Sequence, residues 1–359
     1  MQTQSNKIDF NGQNIFIGFD VHLKSWTVTV MTEKLFHKTF TQPPRPEALY
    51  QYLTKTFPGG IFHSAYEAGF CGYWIHNKLI ELGINSMVVN PADIPTTGKE
   101  KVMKTDPRDS SKIARSLRSG DLTPIHVPSI KTLEDRTLVR TRATLVKDMT
   151  RYKNRIKSFL HFHGIEFPEA FGKSQTHWSN RFNKWLEEIE MTELSGKDSL
   201  NILVEQSKHM RASIFTVTKQ IKELAITDSY KKPVELLRSI PGIGLLTAMI
   251  ILTEIETINR FTNIDQLCGF IGLVPSCSSS GDNEVIGDIT PRGHSMLRST
   301  IIESSWIAAR RDPALNKSYH DYCKRMEPNK AIIRIARKVT SRISFVLKND
   351  QPYVYSVVR

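Results

Sequence analysis

Over the first ninety positions the apolar residues fall mostly in short runs; over most of the rest they recur at helical spacing. Ile15-Phe16-Ile17-Gly18-Phe19-Asp20 is an apolar run closed by an acid, the pattern of a buried strand. Residues 26–31 and 35–41 follow closely enough to complete a three-stranded meander. Across residues 45–57 the apolar positions Leu49, Tyr52 and Leu53 return at helical spacing. Residues 61–67 read as a strand that again ends in an acid, residues 73–82 as a helix stopped by Gly83, and residues 84–89 as a fifth strand closed by Asn90-Pro91. A polar loop over 96–104 leads to a helix that begins near Asp106-Pro107.

The second part of the chain is helical in pattern. After an extended exit over 122–128, residues 131–160 form one long helix in which Leu145, Met149, Tyr152, Ile156 and Phe159 alternate four and three apart, a coiled-coil seam. Gly164 to Gly172 breaks it, and helical stretches over 178–188 and 199–225 return antiparallel to it. Pro241-Gly242-Ile243-Gly244 then makes a turn of helix–hairpin–helix type, whose Gly242 and Gly244 allow backbone N–H groups to approach a phosphate. Residues 267–273 are helical, 275–283 form a polar serine-rich loop, 295–310 are helical, and 330–347 close the chain as an amphipathic helix with Arg334, Arg337, Lys338 and Arg342 on its polar side. The implied division is a disordered tail (1–13), an α/β domain (14–128), a helical coiled-coil domain (129–232) and a mostly helical C-terminal domain (233–359).

Three strands, helix, strand, helix, strand, helix is the order of the RNase H-like fold. In that fold acids collect at one end of the sheet, and Asp20 and Glu67 each end an apolar strand. Asp106 and Asp109 are three apart at a helix start, so both can face one side of its first turn. A plainer reading exists: Asp106 as N-cap, Pro107 as first helical residue and Asp109 as complement to the helix dipole. Four acids from three elements on this element order favour a site for a hard cation such as Mg²⁺.

Charge sharpens the partner. Lys plus Arg is 49 against 36 Asp plus Glu, a net +13, which points to a polyanion, most simply nucleic acid. Between Arg140 and Lys157 lie seven basic residues, among them Arg140, Arg142, Lys147, Arg151 and Arg155, and one acid, Asp148. The four scattered cysteines form no C-x-x-C pair, against zinc or a disulfide framework and in keeping with a reducing cytosol. The polar N-terminus does not read as a signal peptide, and no apolar run reaches membrane-spanning length.

The motifs Gly18-Phe19-Asp20-Val21-His22, Tyr66-Glu67-Ala68-Gly69, Val89-Asn90-Pro91, Lys104-Thr105-Asp106-Pro107-Arg108-Asp109, Pro241-Gly242-Ile243-Gly244, Gly272-Leu273-Val274-Pro275, Ser280-Gly281 and Arg292-Gly293 occur in this order. As an ordered set the sequence resembles the DEDD transposases of bacterial and archaeal insertion sequences, the IS one-ten family of bridge-RNA-guided recombinases. The resemblance implies a RuvC-like domain with Asp20, Glu67, Asp106 and Asp109 as a tetrad holding Mg²⁺ or Mn²⁺. It implies a coiled coil for assembly, a dimer or tetramer, and a cytoplasmic, nucleoid-associated protein. It also implies a C-terminal serine that becomes covalently linked to DNA, which falls on Ser280, with Ser279 and Ser278 as alternatives. Arg292 and Arg298 would face the phosphate, and a non-coding RNA would pair with donor and target DNA. Pro107 and Pro291 depart from the family's usual polar or basic residues.

Two other classes fit parts of the chain. A metal-dependent junction resolvase attacking with water uses the tetrad but leaves Ser280 without a role. A non-enzymatic basic nucleic-acid-binding protein explains the charge and makes the four acids coincidence.

Overall fold

The structure, a computed structural model, describes residues 9–96, 105–280 and 283–355, with the side chains of residues 277–286 outside that description. The chain divides into two compact units, Met1–Val127 and Pro128–Arg359. The expected tail over 1–8 and the polar loop over 97–104 lie outside the described residues. Residues 9–13 lead into the sheet, where Phe10 packs edge-on against Phe57 at 4.9 Å.

In the first unit β1 (Asn14–Val21), β2 (Trp26–Thr32) and β3 (Phe36–Gln42) form an antiparallel meander. It is followed by α1 (Pro46–Thr56), β4 (Ile61–Glu67), α2 (Trp74–Glu81), β5 (Asn85–Val89) and α3 (Asp106–Ser119). The sheet order is β3-β2-β1-β4-β5, with β4 parallel to both β1 and β5. This mixed five-stranded sheet is consistent with an RNase H-like domain. The two-residue period of a strand sorts the faces. Ile15, Ile17 and Phe19 join Leu49 and Leu53 of α1 and Ile75 and Leu79 of α2 in one core. Ala65 and Val89 face the other way and pack with Ile113 and Leu117 of α3. Phe19 stacks between Trp26 (5.3 Å) and Tyr66 (5.2 Å), which fixes β1 against β4 just below their ends.

The second unit contains α4 (Ile130–Phe162), α5 (Asn180–Glu188), α6 (Leu194–Leu224), α7 (Lys231–Arg238), α8 (Leu245–Ile255), α9 (Ile264–Ile271), β6 (Pro275–Ser280), β7 (Asn283–Ile289), α10 (Ser295–Arg311), α11 (Pro313–Cys323) and α12 (Pro328–Asn349). At 33 residues α4 is about 50 Å long. Val139 of α4 shares a core with Ile221 of α6, while Ile156 and Leu160 share another with Leu200 and Val204. Early positions of one helix therefore meet late positions of the other, and the pair runs antiparallel. Of the expected seam, Ile156 is fully buried and Leu145, Met149, Tyr152 and Phe159 are half-buried.

Several expectations need correction. The serine-rich stretch is not a loop: residues 275–280 are β6, paired antiparallel with β7 in register from Pro275↔Ile289 to Ser280↔Asn283. Its residues carry no apolar alternation, so only the backbone ladder makes it a strand. The helix expected from 178 begins at Asn180, because Ser179 caps it by accepting from the Phe182 N–H (3.2 Å). The helices α7 and α11 were not anticipated. On α12, Arg337 turns inward to the Leu273 carbonyl (3.0 Å) and Asp265 (2.7 Å) rather than lying on a free polar face.

Among the described residues of the second unit two acids are buried, Asp312 and Glu254, and the Glu254 side chain is 1% exposed. Arg140 donates to it through both Nε (2.7 Å) and Nη2 (2.8 Å). Arg136 approaches to 3.4 Å, and His294 Nε2 bonds it at 2.9 Å. Because His294 Nδ1 accepts the Leu297 N–H at the start of α10, its proton sits on Nε2 and is donated to Glu254. Burial alone would raise the Glu254 pKa, but the hydrogen bonds from His294 and Arg140 and the charge of Arg140 outweigh it and hold it at about 2. Glu254 thus fastens α4 to α8 and to the start of α10. Replacing it by alanine removes the shared acceptor of Arg140 and His294 and an ionic partner of Arg136, and Glu254→Ala should lose about 3 kcal/mol in urea unfolding. In the wild type this contribution should be complete above the ordinary carboxylate value of 4.5 and disappear as the pH falls toward 2. A flat difference between wild type and variant from pH 7 to pH 3 would contradict it.

Candidate active site

The site is set by how closely α3 lies on the sheet. A Cβ on Gly18 would fall 2.2 Å from Ala114 N and 2.4 Å from the Ser110 carbonyl oxygen. Only a residue without a side chain lets the helix backbone rest on β1 at this depth. Ser110, fully buried, bonds Thr29 of β2 (2.9 Å) and completes the seat. Gly18 and Asp20 are two apart on β1, so Asp20 rises from the face that α3 covers. On β4, Ala65 and Glu67 do the same, and the pairing Gly18↔Ala65 and Phe19↔Tyr66 brings Asp20 and Glu67 to the rim side by side.

The first turn of α3 meets this rim. Asp106 is not the N-cap: Thr105 occupies that place without a side-chain cap bond, and Asp106 and Pro107 are the first helical residues. The Asp106 side chain is spent on another contact, 3.4 Å from His22 Nε2. The same nitrogen lies 3.1 Å from Asp20 Oδ2. Ligand atoms of Asp20, His22 and Asp106 all lie within 4.8 Å of one another. Asp109, almost buried, and Glu67 are joined through Lys112, whose Nζ is 3.4 Å from Asp109 Oδ1 and 3.8 Å from Glu67 Oε1. Burial raises the Asp20 pKa, the charges of Asp106 and Asp109 raise it further, and His22 opposes them. Three carboxylates therefore share one field, and a cation placed among them would relieve it. Two aspartates and an imidazole suit a small divalent ion, the carboxylates favouring Mg²⁺ or Mn²⁺.

His22 and Lys112 were not singled out in the sequence. The available signals were spacing: His22 follows Asp20 by two on one strand face, and Lys112 follows Asp109 by three on one helix face.

The remaining candidates lie in the second unit. Ser280 ends β6 opposite Asn283; its side chain, and Gly281, lie outside the described residues. The foot of this hairpin is rigid. Gly272 (φ +86°) and Gly293 (φ +111°) abut so closely that a Cβ on Gly293 would lie 2.5 Å from the Gly272 Cα. Arg298 Nη1 donates to the Thr290 carbonyl (2.7 Å), while Arg292 is exposed. Gly242 (φ +88°) serves packing, since a Cβ there would meet the Ser304 carbonyl of α10 at 2.2 Å, whereas Gly244 has open space before α8. On α4, Arg140 is held by Glu254 and Arg142 by Thr218 (2.8 Å). Lys147, Arg151 and Arg155 are exposed. Lys153 packs over the Trp178 ring on another side of the helix, and burial first, then the positive charges of Arg211 and Lys157, lower its pKa. Among the described residues no helix is long and apolar enough to cross a membrane.

Comparison with known proteins divides the chain in two. A transposase family model of the DEDD, IS110 type matches residues 17–165, which include all four acids. A second, the Transposase IS116/IS110/IS902 family, matches residues 234–320, which include the hairpin. A Sinorhizobium fredii protein named "Putative transposase y4qE" is 31% identical over 78% of the chain and 66% of its own length, just under two thirds. The transposase for insertion sequence element IS1533 of Leptospira borgpetersenii is 26% identical over 70% of the chain and 72% of its own length. The transposase for insertion sequence element IS1111A of Coxiella burnetii is 26% identical over 79% and 77%.

Gly18→Ala tests the seat of the site. Its methyl group has no room above Ala114, so the variant should lose at least about 2 kcal/mol of stability by thermal or urea unfolding. An unchanged unfolding midpoint would mean that α3 does not rest on β1.

Proposed function

We propose that the chain is a transposase of the IS110 family that cuts and rejoins DNA strands at the ends of an insertion sequence, using Asp20, Glu67, Asp106 and Asp109 as a metal-holding tetrad and Ser280 as the nucleophile. The observation that carries this reading is the meeting of Asp20, Asp106 and Asp109 in one electrostatic field, with Glu67 joined through Lys112. A divalent ion, Mg²⁺ or Mn²⁺, held by these acids would polarise the phosphoryl oxygens and stabilise the leaving oxygen. The chain's own contribution is to hold the carboxylates on a rigid rim, with His22 bridging Asp20 and Asp106.

Attack by the Ser280 Oγ on a phosphodiester forms a serine–phosphorus bond and releases one strand end as an alcohol, which takes up the serine proton. A second strand's hydroxyl reverses the step and joins the strands anew. One phosphoester is exchanged for another, so no ATP is required, whereas water as nucleophile would discard the bond. This economy suits recombination better than degradation. The end of a strand is a suitable mount for a nucleophile that must reach a metal centre on another protomer.

The exposed Lys147, Arg151 and Arg155 support a polyanionic partner along α4. Donor and target DNA, a guiding bridge RNA, and a dimer or tetramer assembled through the α4–α6 pair complete the reading that the family resemblance supplies.

A denaturing gel of labelled DNA incubated with the full-length protein tests it. The wild type should leave a protein–DNA adduct that survives denaturation. Ser280→Ala should lose the adduct while Ser278→Ala and Ser279→Ala keep it, and Asp20→Asn should lower cleavage by at least about a hundredfold with the fold intact. Mixing Ser280→Ala with Asp106→Asn chains should restore part of the adduct if the two halves of the site come from different protomers. An undiminished adduct in Ser280→Ala would sink the serine assignment.

A further inference from the structure

The second unit holds a cavity of about 920 Å³ that no step of the proposed chemistry uses. Ligand sites commonly measure about 300–1,000 Å³, so the space suits a bound molecule. Its walls follow from helix spacing. Glu303, Trp306 and Arg310 stand three and four apart on α10 and share one face of that helix. Tyr319 of α11 meets Trp306 edge-on at 5.8 Å. The start of α8 forms another wall, brought close because Gly242 carries no Cβ to strike the Ser304 carbonyl of α10. Trp306 and Tyr319 are half-buried and both line the cavity, so each presents part of its ring to it. Arg142 of α4 lines it too. Its Nε donates to Thr218 Oγ1 (2.8 Å), and burial, with no acid to offset it, lowers its pKa. A half-buried cation without a counter-ion is costly, and an anion brought beside it would relieve the cost. Arg310 adds a second positive charge, against one lining acid, the exposed Glu303.

We propose that this cavity holds unpaired nucleotides of a DNA strand, with bases stacked on Trp306 and Tyr319 and phosphates beside Arg142 and Arg310. Aromatic rings interleaved with cations bind single strands, because every base has a π-face and every linkage a negative charge. A duplex offers the same phosphates but keeps its bases stacked on one another, so it cannot use the rings. Glu303 is placed to accept from the exocyclic amino group of a base. The choice of DNA rests on the reading that the chain cuts and rejoins DNA strands. A strand released by the first exchange must be held until the second, and its end bases have lost their partners.

The test is fluorescence anisotropy of a labelled, mixed-sequence single strand of about sixteen nucleotides titrated with the full-length protein in EDTA, with circular dichroism to confirm folding. EDTA removes strand cleavage, so the readout is independent of the acidic tetrad. Trp306→Ala should weaken single-strand binding at least about fivefold and leave duplex binding unchanged, while Trp306→Phe keeps most of the affinity. Tyr319→Ala, at a second ring, should act in the same direction should Trp306→Ala not fold. Arg142→Gln should flatten the log–log salt dependence by about 0.7, the share of one phosphate contact. Unchanged single-strand affinity in both alanine variants would overturn the proposal, and an adduct on the denaturing gel would then leave the cut-and-rejoin reading standing. Equal losses for single strand and duplex would overturn it too. RNA of the same sequence bound more tightly than DNA, with the same losses, would overturn the choice of DNA. An altered oligomeric mass in Trp306→Ala with DNA binding intact would make the cavity an interface between copies of the chain and overturn the nucleotide site.

Discussion

Everything at the acidic rim depends on the contact of α3 with β1 at Gly18. A side chain there would collide with the backbone at Ala114 and Ser110, and the helix would ride higher on the sheet. The carboxylates of α3 reach Asp20 because the helix axis is held low, and hydrogen bonding through Ser110 and Thr29 keeps it from sliding. The opposite face of β1 is anchored independently by the Phe19 stack with Trp26 and Tyr66. The strand is thus clamped from both sides one residue short of its catalytic candidate. Acids that repel one another need such a clamp, since their own interaction would push the elements apart.

Electrostatics in the two units follow the same logic with different outcomes. Glu254 is buried and fully engaged by Arg140, Arg136 and His294, so its charge is used up in holding helices together. Asp20 sits beside Asp106 and Asp109, and burial first, then their charges, raise its pKa. A group of acids kept close on a sheet consistent with an RNase H-like order, in the region that a DEDD-type transposase family model matches, is an arrangement that would suit a metal ion acting on phosphodiesters. The hairpin that carries Ser280 is built the other way. Its foot is held by the close packing of Gly272 against Gly293 and by Arg298 on the Thr290 carbonyl.

The strand and helix order of the first unit was legible because its apolar runs are short, punctuated by glycine and proline, and end in acids. Alternation even assigns the faces: Gly18 with Asp20, and Ala65 with Glu67, fall on the side away from the larger core. Three things were hidden. The β6–β7 hairpin has a polar, serine-rich strand held by backbone bonds, and backbone bonds leave no side-chain pattern. Asp106 looked like a cap because caps and metal ligands draw on the same residue types; its place inside the helix after Thr105 and its distance to His22 separate the two. Arg140 looked like part of a basic face, yet it neutralises an acid more than a hundred residues away, a pairing that Glu254 within the apolar run 245–255 could have suggested.

The most direct measurement is an anomalous-scattering map from crystals of the full-length protein grown with Mn²⁺. The account predicts a peak between the carboxylates of Asp20 and Asp106, at roughly 2.2 Å from an oxygen of each. Such a peak would join the strand end and the helix start into one centre. A map without density there, with the His22 imidazole still bridging the two aspartates in the presence of Mn²⁺, would contradict it and leave the four acids as ordinary ends of strands and a helix.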